Sequence, residues 1–547
     1  MIRNLTGRIA LVAVLLVVAA TPWAQAPLIG RLSFPTSETG RAQDAFERGV
    51  LYLHNFEYDD AIIAFREAQG LSRNFAMAYW GEAFCQWQPL WYNENPAKAR
   101  EILNRLAPTP AARAAKAPTP REKAYLAALE RLVGPGDRLT RAGVFADALG
   151  VIARDYPQDD EARAFQALAL LATIPEGTRR PAVSLRAGEL ASALLTRNPQ
   201  HPGAAHYMLH AYDDGEHAAR ALPAARVYAK IAPQSSHAQH MPSHAFLPLG
   251  MWEEAASSDL ASWESSTTWV RKTGRTINQQ DFHSLSWLHY EYLQQGRFLK
   301  AAEVSAIVNR ALNDTLKLGP AAAMAGPGHG AMASEIGRGY DAGGLRNELA
   351  NMRARSIIEG ADWHLMKGKA SFDNVDELAT LGLSAVANDE YTRADAVVAE
   401  LRKAIASAPD PDAAELASIM ADEVVALLAI ARGRQSDGLV MLGRAATREY
   451  ARRKPIARPY PPKPAGELYA EALAGLGQPA AAVAEYQKVL ARLPRRPMAL
   501  LGLARASKAA GNAAGARSAA NDFLRLWRLA DNNRPELVEA RALAAGR

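Results

Sequence analysis

A spacing of 34 residues governs this sequence. Ala187, Ala221 and Ala255 follow one another at that interval, as do Pro199 and Pro233, each 12 residues after its alanine. Near the C-terminus Gly477 and Gly511, Ala470 and Ala504, and Ala482 and Ala516 repeat it. A period of this size marks an array of small supersecondary units. Each is too small to bury its apolar face alone, so the core is completed by stacking on neighbours. Apolar residues recur with helical period, as in Thr119–Leu132 and Tyr391–Ala406, and no alternating β-branched run with hairpin turns is present. The pattern predicts an all-α chain of helix pairs, with small residues where the helices cross.

The segment Gly49-Val-Leu-Tyr52 … Ala61-Ile-Ile-Ala-Phe65-Arg-Glu-Ala68 carries the same order of small and aromatic positions. This order resembles the tetratricopeptide repeat family. The resemblance runs from about residue 40 to about residue 530. It implies a right-handed superhelical solenoid of antiparallel helix pairs, whose first helices line a concave groove that takes a protein or peptide partner. On this reading residues 40–315 form one array and 346–530 a second, with a connection at 316–345 and a tail at 531–547. Gly319–Gly344 is rich in Gly, Ala and Pro and reads as a loose connection. Arg448–Pro464, with six basic residues and five prolines, reads as an extended, solvated basic loop. More loosely, His201-Pro-Gly-Ala-Ala-His-Tyr and His237-Ala-Gln-His-Met-Pro-Ser-His resemble segments of a bacterial group of exported repeat proteins, a likeness that brings no activity with it.

Composition narrows the function classes. With 49% hydrophobic and 22% charged residues the chain is too apolar for a disordered protein and too charged for a polytopic membrane protein. The 63 Lys and Arg barely exceed the 57 Asp and Glu, so no nucleic-acid partner is expected. The single Cys85 excludes an intrachain disulfide, a CxxC redox pair and a thiolate zinc site. At the N-terminus Arg3 and Arg8 precede an apolar run from Ile9 to Ala20, and no acidic residue occurs before Glu38. Residues 1–26 therefore read as a secretory signal peptide, cut after Ala26 or after Ala20. No later stretch has the length of a membrane span without charges. The expectation is an exported, periplasmic or secreted protein with no membrane span once the signal is removed.

Seven of the 12 histidines fall between residues 201 and 244. His206 and His240 lie 34 apart, as do His210 and His244, so the same two slots of consecutive units hold imidazoles. Within a unit they are i,i+4 neighbours on one helix face, and His237 falls on the same arc as His240 and His244. Asp213 lies one turn beyond His210. If Gly250 aligns with Gly296, His283 occupies the slot of His237 one unit later and Tyr290 that of His244. The tetratricopeptide resemblance places these slots on the groove. His206, His210, His240 and His244 are thus candidate metal ligands converging on one point, and His201, Asp213, His237, His283 and Tyr290 candidate ligand-binding residues. Imidazole without thiolate suits Zn, Cu, Ni or Fe in a site with an open position. Other units show that the fold does not need histidine there: the slots hold Phe46 and Val50, Ser286 and Tyr290, Glu467 and Glu471.

The leading expectation is a binding or scaffold protein whose groove takes a peptide or small ligand, with a transition metal at the cluster. A metal-dependent enzyme, hydrolytic or redox, with Asp213 or Glu161 as general base is the alternative, and an assembly adaptor is a third. Pro242 either lies in the first turn of a helix beginning near Met241 or kinks a longer one. Trp80, Phe84, Trp87 and Trp91 at helical spacing read as packing, and Cys85 as a small buried hydrophobe.

Overall fold

The computed structural model describes residues 29–318 and 340–547. The chain is an all-α solenoid of antiparallel helix pairs. The proposed signal peptide lies outside the described residues, as does most of the 316–345 connection; the helix Ala342–Gly360 begins within that stretch. No described helix is long and apolar enough to cross a membrane.

Local chemistry sets the units. The helix Pro120–Leu132 starts at a capping box: the Thr119 hydroxyl accepts from Glu122 N–H, and the Glu122 carboxylate accepts from Thr119 N–H. Units turn at glycines in the left-handed region, and Gly477 (φ 77°) and Gly511 (φ 79°) make the same turn one period apart. Gly250 (φ 66°) and Gly296 (φ 70°) do likewise, so the alignment that pairs His237 with His283 is a structural equivalence. The small residues at the 34-residue markers, Ala187, Ala221, Ala255 and Ala482, are fully buried where helices cross.

The array bends back on itself. Gly250 packs against the Pro494 carbonyl, Trp252 donates its indole N–H to the Arg495 carbonyl, and Trp527 donates to the Gln294 carbonyl. Residues 531–547 follow the last helix pair. They include the helix Pro535–Ala544, which buries Leu537, Ala540 and Leu543. The segment read as a solvated basic loop also differs. Its last residues, Pro461–Pro464, are buried, Arg458 reaches Ser286 and Glu348, and Lys463 bonds Glu467 and Glu471, while Arg453 stays exposed. Arg458 thus faces a carboxylate of another unit and Lys463 two on the helix that follows it, pairings that composition cannot show. One short antiparallel pair, Trp87–Gln88 with Asn93–Glu94, is the only strand structure among the described residues.

Trp80, Phe84 and Trp87 pack into an aromatic core with Phe34, Tyr125, Phe145 and Phe165. Cys85 is buried, and burial pushes its thiol well up, which leaves it unreactive.

Candidate metal centre

The imidazoles meet as two triads. His206 and His210, on the helix Pro202–Ala211, join His237 from the helix Ser236–His240. His240 and His244, on either side of Pro242, join His283 from the helix Phe282–Gln294. Within each triad the ligand nitrogens lie within 4.8 Å of one another. The four residues expected at one point therefore divide two and two. Five of the six histidines are buried and His210 is half-buried, so they sit inside the stack and not along an open concave face.

Pro242 falls inside the second triad, between His240 and His244, and the division between His237 and His240 lies before it. Met241 and Pro242 keep helical dihedrals, but the chain tightens there: His244 N–H bonds the Met241 carbonyl three residues back, and Ser243 Oγ caps the His240 carbonyl. This tightened turn sets how His240 and His244 meet, whereas His237 and His240 serve different triads from one short helix.

Hydrogen bonds fix the tautomers. A carboxylate oxygen can only accept, so His240 carries its proton on Nδ1, 2.5 Å from Asp259 Oδ1, and His244 on Nδ1, 3.1 Å from Asp213 Oδ2. Their two Nε2 atoms, bare when the rings are neutral, stand 3.0 Å apart. In the first triad His206 Nδ1–H donates to the His54 carbonyl at 2.6 Å, which leaves His206 Nε2 bare. That atom lies 2.8 Å from His237 Nε2 and 3.0 Å from His210 Nε2. The facing lone pairs of His240 and His244 repel unless a proton or a cation lies between them, and burial, then His244, push His240 down to about 3, which disfavours the proton. In the first triad a neutral His237 or His210 can donate an Nε2–H to His206 Nε2, so there the nitrogens are close without demanding a charge between them. Two nitrogens each about 2.0–2.1 Å from one ion, at tetrahedral or octahedral angles, stand about 2.9–3.4 Å apart. The observed spacings are close to that range.

Each triad has a supporting shell of the kind that orients metal-bound imidazoles. Behind His240, Asp259 also accepts from Ser243 Oγ. Glu291 lies beyond it, and burial followed by the Asp259 charge pushes the Glu291 carboxyl well up. Asp213 spans the two triads: it sits just past the helix that carries His206 and His210, yet holds His244. Aromatic rings pack against both. Phe56 lies against His206, His210 and His237 with centroids 4.2–5.8 Å away, and Trp287 lies 4.7–5.3 Å from His240, His244 and His283. Phe56 occupies the left-handed region (φ 60°), a costly place for a bulky residue that is held by its surroundings.

The remaining candidates lie elsewhere. His201 caps its helix by accepting Ala204 N–H at Nδ1 and donates Nε2–H to Glu161 Oε1. Glu161 Oε2 accepts from His54 Nε2, and His54 Nδ1 accepts from Tyr207. Every nitrogen of this third cluster is satisfied by the protein, so it needs no ion. Burial raises the Glu161 carboxyl, but His201 and His54 outweigh it and hold it at about 2, which disqualifies Glu161 as a general base. Its role is support, since the His54 carbonyl is the group that orients His206. Tyr290 faces Arg496 and Trp252, away from both triads. Sequence reasoning missed Asp259, Glu291, Phe56 and Trp287. A Trp287 four residues past His283 carries the only signal, since i,i+4 pairs share a helix face.

The sequence matches no protein-family model and no curated protein. Among solved structures it is similar to the P58(IPK) TPR domain at 12% identity, covering 86% of this chain and 99% of that one, with a TM-score of 0.24. It is similar to yeast Tom70 at 11% identity, covering 92% and 95%, with a TM-score of 0.31. It is also similar to the human IFIT1 dimer with PPP-AAAA at 12% identity, covering 88% and 89%, with a TM-score of 0.31. Likenesses this distant bring no function with them, and the solenoid stands on the chain's own helix pairs.

Proposed function

We propose that this chain is a dinuclear transition-metal protein. His206, His210 and His237 hold one ion, His240, His244 and His283 a second, and each ion keeps an open position for chemistry. The observation that carries this reading is the approach of His240 Nε2 and His244 Nε2 to 3.0 Å while both Nδ1 protons are engaged by carboxylates. A donor set of imidazoles alone favours copper or zinc, with copper the tighter in the general affinity order. Three protein ligands per ion is the pattern of catalytic sites, where a fourth position takes water or substrate. This supports a metal-dependent enzyme, redox or hydrolytic, over a passive peptide scaffold. The arrangement assigns Asp213 to orienting His244, and it does not serve as a general base. The N-terminal charge and hydropathy pattern supports export, to the periplasm or beyond it, and cell fractionation with N-terminal sequencing of the exported protein tests it.

Metal analysis of untagged protein tests the main reading. Two equivalents of copper or zinc are expected. His210→Ala should lose one and His244→Ala the other, with the fold retained by circular dichroism. Absence of tight metal, or one ion that needs members of both triads, would overturn the assignment.

A further inference from the structure

Beside the first triad a cleft of about 790 Å3 opens, with His237 and Phe56 in its wall. Its volume is that of a small-molecule site. Three carboxyl groups enter from the start of the helix Tyr58–Leu71: Glu57 at its cap and Asp59 and Asp60 in its first turn. Glu264 and Asp281 face them from the other side. Lys272 is the one cationic residue in that lining, and Arg275 reaches Asp59 from beyond it. The negative charge is crowded as well as numerous. Burial pushes the Glu57 carboxyl up to about 7, Ser235 opposes that, and Asp60, Asp59 and Asp281 add to it. Trp269 lines the same wall and already carries a cation, the Arg275 guanidinium 4.3 Å above its ring, while Phe56 adds apolar surface for a carbon body.

We propose that this cleft admits a small organic cation, a primary ammonium on an aromatic or aliphatic body, to the His206–His210–His237 centre. The destination rests on the metal reading above, whereas recognition of the cation rests on the cleft alone. An anionic molecule of the same shape meets five carboxyl groups that Lys272 and Arg275 only partly balance and is rejected, and a neutral one gains nothing from that excess.

Calorimetric titration with phenethylammonium, 2-phenylethanol and phenylacetate, on metal-free and on copper-loaded protein, separates the two claims. The ammonium should bind at least tenfold more tightly than the alcohol, the carboxylate should not bind, and added salt should weaken the ammonium. Glu264→Lys changes an exposed residue outside both triads and should weaken the ammonium at least fivefold while leaving metal content unchanged. On copper-loaded protein the ammonium should also perturb the visible ligand-field absorption. Equal binding of amine and alcohol, no binding of either, or indifference to Glu264→Lys overturns the proposal. Ammonium binding to a protein that takes up no metal would sink the metal reading and leave the cleft assignment standing. Selective binding that leaves the copper spectrum unmoved would refute access to the centre.

Discussion

At the level of single residues, the geometry turns on which ring nitrogen carries the proton. Asp259, Asp213 and the His54 carbonyl each claim an Nδ1–H, and so present the bare Nε2 atoms of His240, His244 and His206 inward. Such partners raise ligand basicity as well as fixing the ring, and their loss typically costs about 10–100-fold in metal affinity. Asp259→Asn keeps an acceptor but removes the charge. It should lower affinity at the second centre by about that factor and leave the first unchanged, as read by competition with a chelator of known affinity. An equal loss at both centres would mean that they do not bind independently, and no loss would remove Asp259 from the supporting shell. Asp259 could not be read from the sequence, because one acidic residue on a second helix looks like any solvated charge until packing buries it. Phe56 was hidden for a different reason: nothing local marks a bulky residue that tertiary contacts hold at positive φ.

Among the elements, the tightened turn at Pro242 sets how His240 and His244 meet. Pro242→Ala would supply an amide proton to the residue 238 carbonyl and remove a penalty of ~3 kcal/mol or more from a continuous helix. A straighter segment swings His244 relative to His240, so the second triad should lose a ligand. The expected outcome is a fall from two bound ions to one, with a thermal midpoint that is unchanged or raised. Two ions held with unaltered affinity would show that the turn does not set how the pair meets. Much at this scale was legible beforehand. The 34-residue period gave the helix pairs, and the i,i+4 spacing gave His206 with His210 and His240 with His244, because those relations are local. The grouping with His237 and His283 was not, since the long helix Trp252–Thr273 pushes the next unit out of the period. Only the shared turn at Gly250 and Gly296 preserved the register, and the meeting of His240 with His244 depends on a turn that the sequence allowed without requiring it.

Across the whole molecule, the superhelix is closed by contacts between units far apart in sequence, and charge holds part of that closure. Arg496 is buried between Glu467 and Glu359, and Glu467 also takes Lys463 from the preceding segment. Glu467 and Glu471 occupy the slots that hold histidine in two earlier units, and they explain why Lys463 turns inward when composition alone suggested solvent. Burial raises the Glu467 carboxyl, but Arg496 and Lys463 outweigh it and hold it at about 2, against 4.5 for an ordinary glutamate. A folded-state value below the unfolded one means that the unfolded chain takes up the proton first. The resulting stability is fully present above about pH 4.5 and is lost as pH falls from there toward 2. That difference corresponds to roughly 3 kcal/mol. Glu467→Gln removes the charge and leaves Arg496 and Lys463 buried without their shared partner, so at pH 7 the variant should be less stable by ~3–5 kcal/mol. Urea unfolding of both proteins at pH 7, 4.5 and 3 provides the check, because carboxylates common to the two cancel in the difference. The gap should hold between pH 7 and 4.5 and narrow by pH 3, as the native protein loses what the variant never had. A gap that stays constant into acid would mean that Glu467 stabilises the closure by packing alone, and the ionic account of how distant units are joined would fail.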